Sequence, residues 1–387
     1  MMTKIKEWTD KHIQGDPVIW MVVICLSVIS ILVVYSATGS LAYKHQGGNT
    51  EYYLFRHTIM VVLGLVVMWI AHKIDFRYYS KIARYALIAS VPLLFYAWQF
   101  GTTVNDASRW IVLPFIGLQF QPSDLAKMAL VAALAGMLSK RQNKIDDIKE
   151  TLVPMLAWCG IICGLIAMTN FSTAIMLFLT AMLILFIGRV PVKYLGMLAA
   201  VGLLVGVVAI RFGERGPTLM KRIEVFLSGD ELPHQMQQAN IAMANGGVLG
   251  LGPGKSIQRN FLPEAFSDFV YAIIIEEYGT IGGLFVLFLY IVLLYRGMRV
   301  VANSDRAFGG LLSAGLTFAI VIQALVNIGV VVGLGPVTGQ TLPLISMGGT
   351  SMLFTGLSLG IVLSVSRGEQ EDFTPVTGEL RNTAKAV

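Results

Sequence analysis

The residues of this chain predict an all-α polytopic membrane protein. About ten transmembrane helices, both termini in the cytoplasm and one long extracytoplasmic loop between helices 7 and 8 are expected. Three observations predict it. The 387 residues are 55% hydrophobic and only 13% charged, about half the charge of a soluble domain, with a mean hydropathy of +0.70. The apolar residues come in blocks of roughly 17–25, the length that crosses a hydrocarbon core as a helix. Basic residues recur in every second connection, as the positive-inside rule requires of cytoplasmic loops.

The elements follow in order. Residues 1–16 form a polar, basic cytoplasmic tail with Lys4, Lys6 and Lys11. The first apolar block is too long for a signal h-region and is expected to stay as the first membrane helix. The ten expected spans cover roughly 17–37, 55–72, 79–100, 121–139, 151–168, 171–188, 193–211, 268–295, 308–332 and 342–365. Asn170 and Ser172 mark the turn between the fifth and sixth, whose combined length is too great for one crossing. The basic connections hold Lys73, Arg77, Lys81 and Arg84; Lys140, Arg141, Lys144 and Lys149; Arg189 and Lys193; and Arg296, Arg299 and Arg306. They share one side with the N-terminus, which also places residues 367–387 in the cytoplasm. The membrane domain therefore runs over 17–366.

The opposite face carries the connections 38–54, 101–120 and 212–267. The last has apolar residues at helical spacing, Ile223, Phe226 and Leu227, then Ile241, Met243 and Ala244. Short amphipathic helices at the membrane surface are expected there. No internal repeat is evident, which weakens repeat-built transporter architectures.

Composition narrows the function classes. The net charge of +6 reflects cytoplasmic loops that hold topology, and no nucleic-acid partner is expected. Cys25, Cys159 and Cys163 all fall in apolar blocks. With no His nearby they read as small buried hydrophobes, and no metal site is expected from them.

Ionisable residues inside or at the rim of a membrane domain are costly and are functional candidates. Four clusters qualify. Asn105-Asp106-Ala107-Ser108-Arg109-Trp110 precedes the fourth span. Arg109 can fork onto phosphate and Trp110 can sit at headgroup depth, or the pair is an aromatic-belt anchor. In Gln121-Pro122-Ser123-Asp124-Leu125-Ala126-Lys127, Ser123 reads as an N-cap and Asp124 as a first-turn acid. Asp124 and Lys127 are spaced to pair, either as a structural ion pair or as the wall of a polar cavity.

The third cluster, Gly246 to Ser256, ends in Gly254-Lys255-Ser256 like a P-loop, but Leu249 stands where that motif needs its first glycine and no buried strand precedes it. Its glycines are expected to allow tight turns and close backbone approach to a substrate. The fourth cluster, Phe261 to Phe269, stands at the mouth of the eighth span. Residues 266–296 read as one helix of about 46 Å, with Asp268 in its first turn, above the membrane. There Asp268 is either a general base for a hydroxyl or a helix-terminal acid alone. Glu276 and Glu277 lie deeper, on different faces.

Taken together these residues resemble the SEDS family of peptidoglycan glycosyltransferases, whose members include RodA and FtsW. The resemblance spans nearly the whole chain: Tyr35-Ser36-Ala37, Arg109-Trp110, Gln121 to Lys127, Gln235 with Gln238-Ala239, Gly246-Gly247 and Gly250. It continues through Leu262-Pro263-Glu264, Asp268-Phe269, Glu276-Glu277, Gln323, Asn327 and Leu342 to Ser346 with Gly348-Gly349. Thr341 and the Leu262 to Ala265 wording look closer to the division members than to the elongation members. Departures are Asp124 for the usual Glu, Phe266-Ser267 for His-Thr, Thr169-Asn170-Phe171-Ser172 for Pro-Asp-Phe-Gly, and Met347 for Tyr.

The resemblance implies polymerisation of lipid II into glycan strands on the outer face of the bacterial inner membrane, at the division septum. Undecaprenyl diphosphate is then the leaving group and Asp268 the general base. Arg109 and Lys127, with or without a divalent cation (Mg or Mn), would meet the charge of the diphosphate. Trp110, Asp124, Gln238 and Glu264 would shape the substrate cavity, and Gly348 and Gly349 would let the last span pack closely. A class B penicillin-binding protein and other divisome membrane proteins are the implied partners. A lipid II flippase, a scaffold without activity and an elongation-type role are the rival readings.

Overall fold

The computed structural model describes residues 14–45, 47–104, 107–112, 119–142, 152–212, 216–228 and 232–372. Thirteen helices of seven or more residues stand in these segments. They are α1 (Pro17–Ala37), α2 (Gly39–His45), α3 (Thr50–Lys73), α4 (Phe76–Phe100), α5 (Pro122–Lys140), α6 (Val153–Thr169) and α7 (Phe171–Ile187). They continue as α8 (Val192–Phe212), α9 (Gly216–Ser228), α10 (His234–Gly246), α11 (Val270–Asn303), α12 (Ala307–Val331) and α13 (Thr350–Asp372). Five of them, α1, α3, α11, α12 and α13, are long and apolar enough to cross a membrane, and α6, α7 and the first part of α8 are shorter apolar helices. α4 and α5 fall short because they carry charge: Arg77, Lys81 and Arg84 on one, Asp124 and Lys127 on the other. Large apolar side chains such as Ile24, Val28 and Leu32 of α1 point outward, as a lipid-facing surface requires.

The chain is not wholly α-helical. Between α4 and α5 lie three short antiparallel strands, β1 (Thr102–Val104), β2 (Ala107–Val112) and β3 (Gln119–Phe120), with β2 in the middle. The pairing Ile111 with Phe120 and Val112 with Gln119 delivers the chain to Pro122 at the start of α5. The pairing of strands this short depends on partners and leaves almost no periodic signal.

Local rules explain most helix ends. The Asp16 carboxylate accepts from Val18 N at 2.9 Å and Ile19 N at 3.3 Å, capping α1 behind Pro17. Its other oxygen holds Arg296 at 2.5 Å, which ties the first helix to the far end of α11. Asn170 ends α6 and caps α7, accepting from Thr173 N at 3.3 Å. At α5 the expectation fails: Gln121, not Ser123, is the N-cap residue and makes no side-chain cap bond. Pro122 has no amide to satisfy at N1, and Asp124 N donates to the Gln121 carbonyl at 3.1 Å instead of to a capping side chain.

α12 is central and packs on α11, α5, α7 and α13. Close approach is set by small residues, as membrane helices require. A Cβ on Gly315 would stand 2.5 Å from Val131 of α5, and one on Gly297 the same distance from Thr317. α13 lies along α3 in the same way, where a Cβ on Gly356 would meet Gly64 O at 2.2 Å and one on Gly360 would meet Met68 O at 2.5 Å. These two glycines do the packing expected of Gly348 and Gly349. The latter pair precedes the helix, which starts at Thr350 and not near 342. Leu342 to Gly349 form an irregular, largely buried segment.

The eighth expected span also differs. It is not one straight helix from 266: α11 begins at Val270, breaks at Gly279 (φ 71, ψ −178) and runs on to Asn303, so Arg296 and Arg299 are helical. The break frees two carbonyls and two amides, and the glycine-rich run takes all four. Leu251 N donates to Glu276 O and Gly252 N to Glu277 O, both at 2.9 Å; Thr280 N donates to Gly247 O at 2.9 Å and Ile281 N to Val248 O at 3.4 Å. Contact is backbone to backbone. A Cβ on Gly250 would meet Glu277 O at 2.3 Å and one on Gly279 would meet Val248 O at 2.1 Å. Gly246 and Gly250 of this run therefore serve close approach to α11.

Gly279→Ala forces an L side chain into a backbone region open essentially to glycine alone and onto a carbonyl oxygen. It should cost on the order of 3 kcal/mol, read as a lowered thermal midpoint of the detergent-solubilised protein. An unchanged midpoint would show that the kink is not held as described.

Candidate functional site

The membrane helices enclose a cavity of about 1090 Å³. Its walls come from sequence-distant pieces: α3, β2, α5, the α6–α7 turn, α9, α10, the segment before α11, and residues 337–341 and 347–351.

Five of the seven residues singled out from the sequence line it: Trp110, Asp124, Lys127, Glu264 and Asp268. Lys127 Nζ lies 2.8 Å from Asp124 Oδ1, on adjacent turns of α5, and 3.4 Å from Gln323 Oε1 of α12. Asp124 is buried and Lys127 mostly so. A cation and an anion spaced i, i+3 on an otherwise apolar helix satisfy each other and face the cavity rather than lipid. Gln238 does not line the cavity; it approaches His234 Nε2 at 3.5 Å, while Gln235, one turn earlier on α10, is the residue at the wall. Arg109 lies on β2, but its side chain, like Asn105 and Asp106 altogether, is outside the described residues.

Asp268 stands two residues before α11, not in its first turn. It is half-buried in the cavity wall. The facing backbone is Gly339, at φ +62, where a Cβ would lie 3.7 Å from Asp268 Oδ2. Glu264, four residues earlier, holds φ 56, a left-handed conformation costing a non-glycine residue about 1 kcal/mol. That turn closes with Ser267 N on Glu264 O at 2.9 Å.

Three further polar residues at the wall carry no individual reading in the sequence analysis. Arg56 stands in the second turn of α3 and His57 follows it. His57 Nε2 is 2.7 Å from Ser30 Oγ, which donates to Ile345 O at 2.7 Å. The serine has one proton, so the imidazole Nε2 must be the donor to it. Arg222 of α9 donates to Val337 O at 3.0 Å. The signal for Arg56 was a lone cation at a span's rim; that for Arg222 was a basic pair, Lys221-Arg222, beside the apolar positions of the long loop.

The cavity thus offers the carboxylates of Asp124, tied to a lysine, and of Asp268 and Glu264, together with cations from three elements. Among the described residues no three His, Cys, Asp or Glu side chains gather in metal-binding geometry.

The Asp124–Lys127 pair makes a sharp prediction. Lys127→Met strands a buried carboxylate and should cost about 3 kcal/mol. The double variant Asp124→Asn/Lys127→Met should recover most of the lost thermal midpoint. A double variant no more stable than the single one would mean that the pair is not what holds this wall.

The comparisons agree with this architecture. Residues 16–371 match the family model of FtsW, RodA and SpoVE, described as cell cycle proteins. A probable peptidoglycan glycosyltransferase FtsW of Geobacter sulfurreducens is 34% identical over 364 residues, covering 91% of this chain and 95% of that one. Stage V sporulation protein E of Bacillus subtilis is 31% identical, covering 93% and 99%. Among solved structures, one described as structural coordination of polymerization and crosslinking by a peptidoglycan synthase complex superposes with a TM-score of 0.74 at 26% identity, covering 92% of this chain and 99% of that one. The crystal structure of the Thermus thermophilus rod shape determining protein RodA gives 0.67 at 25% identity, covering 92% and 97%. With a match over nearly its full length and the same helical membrane architecture, this chain belongs to the FtsW/RodA/SpoVE family, the SEDS proteins.

Proposed function

We propose that this chain is a peptidoglycan glycosyltransferase that polymerises lipid II on the outer face of the inner membrane, with Asp268 as its general base. The observation that carries the reading is the gathering, in one cavity, of Asp268 with the cations Lys127, Arg56 and Arg222. In the reaction the 4-hydroxyl of the acceptor sugar attacks the anomeric carbon of the growing chain. The new glycosidic bond forms as the bond to the diphosphate breaks, with inversion, and the hydroxyl proton passes to Asp268. Undecaprenyl diphosphate departs with the electron pair. Charge developing on that leaving group is what preorganised cations stabilise, and Lys127, with Arg109 and the two further arginines, supplies them. A divalent cation, Mg or Mn, belongs to this reading as a companion of the diphosphate that the substrate carries.

In this reading all ten helices at the expected spans cross the membrane, α4 and α5 included, with both termini in the cytoplasm. The stretch from α9 to the start of α11 then lies on the outer face. The FtsW relatives favour septal wall synthesis. The polymerising and crosslinking complex among the structural relatives supports pairing with a class B penicillin-binding protein, and other divisome membrane proteins complete the expected set.

The deciding experiment incubates purified protein, with and without its transpeptidase, with labelled lipid II and divalent cation, and resolves glycan ladders on a gel. Wild type should give a ladder, and Asp268→Asn should lower the rate at least about a hundredfold while folding and transpeptidase binding persist. Equal ladders would remove Asp268 from the chemistry. A wild type that moves lipid II across vesicles and forms no polymer would make the chain a flippase.

A further inference from the structure

The segment bearing Asp268 is irregular, yet three successive carbonyls in it are each held from a different group. Phe266 O accepts from Met347 N at 2.9 Å. Ser267 O accepts from Ser346 Oγ. Asp268 O accepts from Asn327 Nδ2 at 2.7 Å. Ser346 and Asn327 are 3% and 2% exposed, and neither lines the cavity. They stand behind its wall and have no route to a bound substrate.

Both side chains are themselves fixed. Ser346 Oγ accepts from Leu342 N at 2.7 Å while donating to Ser267 O, so its one proton has one direction. The second amide hydrogen of Asn327 goes to Gln340 O at 2.6 Å, next to Gly339, the backbone that faces the Asp268 carboxylate. The strap from 340 to 347 is anchored in turn to three helices. Gln323 of α12 donates to Thr341 O at 3.0 Å, Tyr290 of α11 to Pro343 O, and Ser30 of α1 to Ile345 O at 2.7 Å. Leu344 holds φ 66 within it, a conformation that persists only where the surroundings over-determine it. A carboxylate on an irregular segment is normally placed less well than one on a helix. Here each neighbouring peptide is clamped to a rigid frame instead.

We propose that Ser346 and Asn327 are positioning residues for Asp268: one side-chain hydroxyl and one side-chain amide, neither touching substrate, set where the carboxylate meets the acceptor hydroxyl. The inference rests on the reading of Asp268 as the base. It gives the strap from 340 to 347 a role in the chemistry rather than in packing alone. A displacement of about 1 Å at a reacting group lowers a rate by up to about a hundredfold without weakening ground-state binding.

The test measures kcat and KM for lipid II polymerisation under conditions where wild type forms a ladder, with Asp268→Asn alongside and thermal midpoints recorded for every variant. Ser346→Ala should lower kcat at least about tenfold and leave KM within about twofold. Ser346→Thr, which keeps the hydroxyl, should restore most of the rate. Asn327→Ala should repeat the kcat loss, and it decides alone if Ser346→Ala does not fold. The clamp is overturned if kcat is unchanged, if the loss appears in KM, or if Ser346→Thr is no better than Ser346→Ala. An active Asp268→Asn sinks the base reading and the clamp with it. An inactive Asp268→Asn beside fully active Ser346→Ala and Asn327→Ala removes the clamp and leaves the base in place.

Discussion

The structure turns on the exchange of hydrogen bonds at Gly279. A helix inside a membrane cannot break unless its freed amides and carbonyls find partners, because no water is there to take them. Here Gly247, Val248, Leu251 and Gly252 replace the missing helical turn bond for bond. The substitution demands backbone approach closer than any side chain allows, which is why glycine stands on both sides of it. The consequence is positional. The run after the α10 helix is stitched to α11 at a fixed height, so the chain from 253 to 269 must close a loop between two points of one rigid unit.

The two glutamates before the kink tighten that loop. Glu276 accepts from Ile257 N and Gln258 N, both at 3.2 Å, and from Ser256 Oγ. Glu277 accepts from Ser36 Oγ, and Arg259 Nη1 donates to the same hydroxyl at 3.0 Å. Both carboxylates are almost fully buried. Buried acids are costly unless they meet donors; Glu276 meets two backbone amides and one hydroxyl of the loop, and Glu277 meets the Ser36 hydroxyl of α1 and the Ser256 amide through one oxygen. The acids thus act as fasteners between α11, α1 and the turn at 258–260, eight residues upstream of Asp268. A pair of adjacent acids on one helix, facing different ways, can hold two neighbours at once.

Much of this was legible in the sequence and some of it was not, for identifiable reasons. Apolar block length located helices at all ten expected spans, since nothing but a helix satisfies its backbone over such a block. The Asp124–Lys127 pair and its exposure to a polar cavity followed from the cost of placing lysine in lipid. The kink was hidden because Gly279 sits among helix-compatible residues, and glycine within an apolar helix usually signals packing. The glycine-rich run pointed to close approach, but its partner is 30 residues away and no local pattern names it. The start of the last helix was read eight residues early because Leu342 to Ile345 are apolar; they are buried in protein as an irregular strap, a use of apolar residues that periodicity cannot separate from a helix. Arg56 and Arg222 went unread because one is a lone cation at a span's rim and the other half of a basic pair in the long loop, and only the fold shows that their edges meet.

The long loop is therefore part of the site's frame and not an accessory to it. Its first helix reaches the wall beside Gly339 through Arg222 on Val337 O. Its last stretch reaches the opposite wall through the kink, Glu276 and the turn that leads to Asp268. These attachments bracket the carboxylate from both sides. The first is a single exposed hydrogen bond, whose net contribution is about 1 kcal/mol. The second is an array of four backbone bonds, backed by the Glu276 carboxylate on the turn at 258–260. A force applied to the loop from outside would loosen the α9 side first and leave the Asp268 side in register. On the proposed reading of Asp268 as the base, the fold separates the wall with the looser attachment from the wall that holds the carboxylate for proton transfer.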